Sequence, residues 1–145
     1  MLSNFLGGHQ CEVFLSPFDV RLPKSDNSQD REDDHITTVV QPDLCVVCDP
    51  SKIDARGCLG APDIVVEILS PGNSKKELSV KFDIYEAAGV REYWIIQPEA
   101  KSFVKYVRNE SGMFIEKGTT VNGGEIRSEV LPGFSMNLNE LFQER

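Results

Sequence analysis

One stretch constrains the fold of this chain more than any other: "DIVVEILS", Asp63 to Ser70. Its run of β-branched and aliphatic residues reads as a strand buried on both faces. A second such run, "EYWIIQP", begins at Glu92. Between them "PGN" breaks the first strand and a helix begins. Ser74 stands at the N-cap position, and Glu77, three residues on, completes a capping box. Leu78, Phe82, Tyr85 and Ala88 recur as one helical stripe, and Gly89 closes the helix as its C′ residue. Strand, helix, strand implies a crossover unit, right-handed if the two strands are parallel.

The rest of the chain has the patterns of short strands and turns. "MLSNFLGG" at the start reads as the last turns of a truncated N-terminal helix. Cys11 to Pro23 reads as one or two strands, and Thr37 to Asp49 as a strand region with Pro42 at its entrance or at a bulge. Pro50 to Pro62 reads as loop from its Gly and Pro content. "SFVKYVRNESGMFIEKG" reads as a hairpin around Asn109 to Gly112, followed by more strand with tight turns. "LNELF" near the end reads as a short helix. A length of 145 residues fits one domain, 1–145, with one core. The expected class is α/β, with a mixed sheet and additional antiparallel strands.

Charge and cysteine usage narrow the function classes. The net charge of −8 argues against broad electrostatic binding to nucleic acid, although it leaves room for a local basic patch. Much of the excess lies in "SDNSQDREDDH", Ser25 to His35, which has no periodicity and reads as a solvated loop. No apolar run is long enough to span a bilayer, so no membrane partner is expected. The start lacks the basic flank of a signal peptide. A cytoplasmic location follows as an expectation, and with it four reduced cysteines. "CVVC", Cys45 to Cys48, lies in a strand-like run, where residues three apart point to opposite faces. No second pair completes a tetrahedral zinc site. Buried structural thiols are therefore expected.

Two charges sit where a core would take hydrocarbon. Alternation places Val65, Glu67 and Leu69 on one face of the strand, and Ile64, Val66 and Ile68 on the other. A lone buried carboxylate is costly unless it is paired or holds a metal. Asp43, in "QPDLCVV", is a candidate partner from the preceding strand. Together Asp43 and Glu67 make a hard oxygen site of the kind that suits Mg2+ or Mn2+. Lys81 lies at the edge of the helix face that packs on the sheet, and its ammonium could orient a water or stabilise developing negative charge. These parts suffice for phosphodiester hydrolysis. Other readings stand beside this one on residue chemistry alone. Glu67 and Lys81 can form a plain buried ion pair, Lys81 can pair with Glu77 at i, i+4, and Asp43 can be a strand-entry residue. Ser74, Lys75 and Lys76 at the helix start are candidate phosphate ligands, with a solvated capping loop as the alternative. Asp63 is on the Glu67 face, but roughly 13 Å of strand separates the two, and it reads as structural.

The motifs "VVQPD", "GAPDIVVEILSPGNSKKELSVKFDIYEAAG" and "VREYWIIQPE" together resemble the Uma family of restriction-endonuclease-like proteins. The pattern is PD, a loop, PD with an embedded Glu and a following S-P, then K-x-x-x-Y, then G-V-x-E-Y-W. "LPGFSMNLNELF" is similar to the family's C-terminus, so the likeness covers most of the chain from Cys11 onward. The resemblance implies the PD-(D/E)XK nuclease fold, a mixed sheet flanked by helices. It implies metal-dependent cleavage of nucleic acid, DNA in particular, with Asp43 and Glu67 as metal ligands and Asp43, Glu67 and Lys81 as the catalytic set. It also implies a homodimer, since such nucleases often cut duplex through paired sites. The sequence departs from the wider fold's pattern at Leu69, where a lysine would stand two residues beyond the Glu. Lys81 on the helix takes that role instead. Where the family tends to carry Asp, this chain has Glu77. A non-catalytic binding or assembly module that keeps the nuclease fold is the alternative.

Overall fold

The computed structural model describes residues 10–23, 36–70, 72, 75–121 and 124–137. The helix tail expected at the start, the acidic loop, the Ser74 cap and the C-terminal helix lie outside them. Six strands form the central sheet in the order β1 (Glu12–Leu15), β4 (Leu44–Val47), β7 (Ile64–Ile68), β8 (Glu92–Gln97), β9 (Ser102–Arg108) and β10 (Phe114–Val121). β7 and β8 run parallel, with Ile64 opposite Glu92 and Ile68 opposite Ile96. The helix α1 (Lys75–Ala88) connects them. The other neighbouring pairs are antiparallel. The mixed sheet expected from the crossover unit is therefore present.

The two faces of this sheet carry separate cores. Val46, Ile64, Val66, Trp94, Ile96 and Phe103 pack on one side, under Ile126, Leu131 and Phe134. Those last residues belong to or adjoin an antiparallel pair, β11 (Glu125–Arg127) and β12 (Ser135–Asn137). Cys45, Val47, Val65 and Tyr93 pack on the other side, under Tyr85 of α1 and Val20, Leu22 and Cys58. Val20 and Leu22 lie on β2 (Val20–Pro23), one of the two inner strands of a second sheet ordered β3 (Ile36–Val40), β2, β6 (Gly57–Leu59), β5 (Ile53–Asp54). The alternation read from "DIVVEILS" is thus realised: Val65 faces the helix and Ile64 and Val66 face away. Among the described residues α1 is the one α-helix, so strands cover much of both faces.

Three expectations need correction. The segment Pro50 to Pro62, read as loop, contains a 3-10 turn (Pro50–Lys52) and the β5–β6 hairpin. Its turn residues hid two very short strands. Gly57 takes a positive φ of 123°, and a Cβ there would meet the Asp19 carbonyl oxygen at 2.2 Å, so glycine is what lets β6 dock against β2. The Thr37 to Asp49 region divides at buried Pro42 into β3 and β4, which join different sheets. Finally, the four cysteines are not all free. Cys11 and Cys48 form a disulfide with sulfurs 2.08 Å apart. The β1–β4 register pairs Glu12 with Val47, so residues 11 and 48 stand opposite each other. Cys45 and Cys58 are buried free thiols, as expected, and burial pushes them up to about 12 and about 11. The hairpin around Asn109 is present, and its Asn109 side chain accepts from the Ser111 and Met113 amides.

Candidate active site

Asp43 immediately precedes β4, and Glu67 lies near the end of β7. In the antiparallel register Leu44 faces Val66, which sets Asp43 opposite Glu67, on the side that packs under α1. Asp43 Oδ2 accepts the Ile68 amide at 2.7 Å, which ties it to the strand that carries Glu67. Glu67 is 3% exposed.

Helix α1 delivers two further groups to Glu67. Lys81 and Tyr85 are one turn apart and so share a helix face. Lys81 Nζ lies 3.3 Å from Glu67 Oε2. Tyr85 Oη donates to the same Oε2 at 2.8 Å. The pair is asymmetric: the Glu67 side chain is enclosed, whereas Lys81 is 39% exposed and stands at the rim. Both contacts fall on Oε2. Among the described residues no protein donor reaches Glu67 Oε1 or Asp43 Oδ1, so each carboxylate keeps one oxygen open.

The electrostatics follow from this placement. Burial pushes the Glu67 carboxyl above the ordinary glutamate range. The Tyr85 hydrogen bond and the Lys81 charge pull it back, and the neighbouring Asp43 charge raises it. Burial, then the Glu67 charge, push Tyr85 far up, so it stays a hydrogen-bond donor across the physiological range.

Of the residues singled out in the sequence, the structure brings Asp43, Glu67 and Lys81 together. Lys75 and Lys76 are exposed on the first turn of α1, and Ser74 lies outside the described residues. Asp63 is at the other end of β7. There it accepts the Cys48 amide at 2.6 Å and meets Arg91 at 3.4 Å. Tyr85 stands in the K-x-x-x-Y motif and in the apolar stripe, but sequence alone assigns it no role at the site, because its position fits ordinary core packing. The signal available was a hydroxyl four residues beyond a lysine on a core-facing stripe. A buried tyrosine hydroxyl normally finds a partner.

The Asp43–Glu67 pair can be tested against Mg2+ or Mn2+. Among the described residues no group of three His, Cys, Asp or Glu side chains comes together. Mg2+ does not require one. It is commonly bound through one or two carboxylates, with waters and substrate phosphate oxygens completing its shell. Two facing carboxylates, each with an open oxygen, fit that demand. No helix among the described residues is long and apolar enough to cross a membrane.

A mixed sheet with a parallel β7–α1–β8 unit and antiparallel strands on either side is a restriction-endonuclease-like fold. Residues 1–139 match the Uma2 family, described as "Putative restriction endonuclease", and the chain belongs to that family. An uncharacterized protein of Synechocystis sp. is 24% identical over 113 residues, which cover 77% of this chain and 54% of that protein. The chain thus spans about half the length of that curated relative. The crystal structure of "a putative nuclease belonging to DUF820" from Anabaena variabilis superposes with a TM-score of 0.67. At 17% identity it covers 98% of this chain and 74% of that one, and it shares the fold.

Proposed function

We propose that this chain is a metal-dependent endonuclease that hydrolyses phosphodiester bonds of DNA. The observation that carries the reading is the facing pair Asp43 and Glu67, each with one oxygen open, with Lys81 against Glu67. In this reading Asp43 and Glu67 hold Mg2+ or Mn2+, which supplies Lewis-acid stabilisation of charge on the phosphate. Lys81, at the solvent rim, orients the attacking water and offsets the negative charge that builds on the phosphoryl oxygens. Water adds to phosphorus, one ester P–O bond breaks, and a phosphate monoester and a hydroxyl result. Lys75 and Lys76, exposed at the start of the same helix, would meet the backbone phosphates on approach. On duplex DNA the acting species is a homodimer with one site per strand.

Calorimetric titration of Mn2+ into the wild type, Asp43→Ala and Glu67→Ala tests the assignment. Saturable binding to the wild type and none to either variant is expected. Cleavage of DNA with Mg2+ or Mn2+ should fall by on the order of a thousandfold in both variants, several kcal/mol of barrier, with circular dichroism unchanged. Retained cleavage in both variants would sink the assignment. Absence of Mn2+ binding to the wild type would favour a non-catalytic module, in which Oε2 of Glu67, already shared by Lys81 and Tyr85, belongs to a satisfied structural network.

A further inference from the structure

We propose that Tyr85 is a positioning residue for the metal-binding carboxylate. By donating to Glu67 Oε2 it holds that side chain in place and leaves Oε1 as the oxygen that meets a cation. This inference rests on the endonuclease reading for its purpose, but its geometry stands independently.

The contact is rigid from both ends. Tyr85 lies in the last turn of α1, where the chain closes in a Schellman motif. The Val90 amide donates to the Tyr85 carbonyl at 3.2 Å, and the Gly89 amide to the Glu86 carbonyl at 3.3 Å. Gly89 takes the positive φ of 94° that this closure needs. Val90, fully buried, packs in the same core as Tyr85. One residue further along the helix, Glu86 Oε2 accepts the Phe114 amide of β10 at 2.8 Å. One turn back, Phe82 packs edge-on against Tyr106 and Phe114, with centroids 5.0 and 5.2 Å away. The ring of Tyr85 lies 5.1 Å from that of Tyr93. A helix fixed at these points cannot slide, so the 2.8 Å hydrogen bond fixes where Oε2 sits.

Packing alone does not call for the hydroxyl. A phenyl ring would fill the same space, and Tyr93 beside it shows what a hydroxyl does without a partner: its Oη is buried and unbonded among the described residues. Lys81 does not replace Tyr85 in this role. It is partly exposed, on a flexible stem, and its distance to Oε2 is longer. In the reaction Lys81 must also be free to engage water or phosphate. Tyr85 is then the donor that still holds Oε2 when Lys81 engages water or phosphate.

Two readouts at one fixed neutral pH decide the matter: carboxyl-carbon NMR of Glu67, assigned by its loss in Glu67→Gln, and calorimetric Mn2+ binding. In Tyr85→Phe the Glu67 carboxyl resonance should shift, the effect of removing the hydrogen bond to Oε2. Where the wild type binds Mn2+, affinity in Tyr85→Phe should fall about tenfold to a hundredfold, as for other groups that orient metal ligands. Tyr93→Phe removes a hydroxyl from the same aromatic cluster and should leave both readouts in place, which separates positioning from general loosening. An unchanged Glu67 resonance in Tyr85→Phe would overturn the proposal, as would an equal change in Tyr93→Phe. If the wild type binds no Mn2+, the endonuclease reading fails while the Glu67 resonance still decides whether Tyr85 holds that carboxylate. If Mn2+ binds and Tyr85→Phe changes neither readout, the positioning role fails and the endonuclease reading stands.

Discussion

Two buried carboxylates sit on adjacent parallel strands of one sheet, and they are treated in opposite ways. Glu92 opens β8 and is fully buried on the face covered by β11 and β12. Its Oε2 accepts the Glu129 and Val130 amides at 2.6 and 2.7 Å. Its Oε1 accepts Trp94 Nε1 at 2.9 Å, and the Ser128 hydroxyl reaches both oxygens. No cation pairs with it among the described residues. Glu92 is a hydrogen-bonded peg that fastens segment 128–130 to the sheet. Glu67, on the helix face, has one oxygen held and the other open. A carboxylate with both oxygens saturated has no capacity left for a metal, whereas one left half-satisfied retains it. The same contrast runs through the other polar groups of the Glu92 face. A cavity of about 400 Å³ there is lined by Lys105, Lys117, Arg127, Glu125 and Glu129. Its charges answer one another: Lys105 donates to the Arg127 carbonyl, Arg127 meets Glu125 and Lys117 meets Glu129.

The largest effect should come from breaking the saturated carboxylate. Glu92→Ala orphans two amides, an indole N–H and a hydroxyl, and should cost on the order of 3–5 kcal/mol in urea unfolding. Glu92→Gln keeps an acceptor oxygen but turns an NH2 group toward donors, and should cost less. If Glu92→Ala unfolds at the wild-type denaturant midpoint, the contrast between the two sites is wrong.

Glu67→Gln should act in the opposite direction. The raised Glu67 carboxyl means that the folded state prefers the protonated form. The stability it contributes is therefore present below the ordinary glutamate range and is lost as pH rises through its elevated value. Gln mimics the protonated form, and Lys81, partly exposed, can be solvated instead. The variant should match the wild type at acidic pH and exceed it by roughly 1 kcal/mol at neutral pH. Thermal unfolding across that pH range checks the sign. A variant less stable than the wild type at neutral pH would mean that Glu67 is as structural as Glu92. Such a gain is the usual relation at a functional site, where a group kept for chemistry costs stability.

The smallest effect belongs to Tyr93→Phe. Removing a buried hydroxyl without a partner should leave stability unchanged or raise it by up to about 1 kcal/mol. A loss well beyond about 1 kcal/mol by calorimetry would mean that this hydroxyl does make a bond, and the helix-side core would need to be redrawn.

One side of this contrast is legible in the sequence and the other is not. The β7–α1–β8 unit follows from local pattern: two apolar runs, an apolar helical stripe and a glycine stop. Strand alternation puts Glu67 on one face, and helical spacing puts Lys81 at the edge of the stripe above it. Glu92 gives no such signal, because its partners Ser128, Glu129 and Val130 lie 36 to 38 residues away. Tyr85 stands in K-x-x-x-Y, but nothing local says that its hydroxyl would meet Glu67, because an apolar stripe accommodates tyrosine as readily as phenylalanine.

Periodicity and turn chemistry act over a few residues, so the sequence by itself determined which segments became strands, which became helix and which faces were apolar. It also determined that Glu67 would fall among hydrocarbon, with Lys81 at the edge of the helical stripe above it. Tertiary structure decided what became of those charges. A strand register set Asp43 opposite Glu67 and Cys11 opposite Cys48, and a one-residue slip would have reversed every face. The docking of α1 decided that Tyr85 and Lys81 share a single oxygen. Hydrogen-bond satisfaction is a property of groups brought together from distant segments. Two glutamates that look alike in the chain thus became a peg and an open ligand.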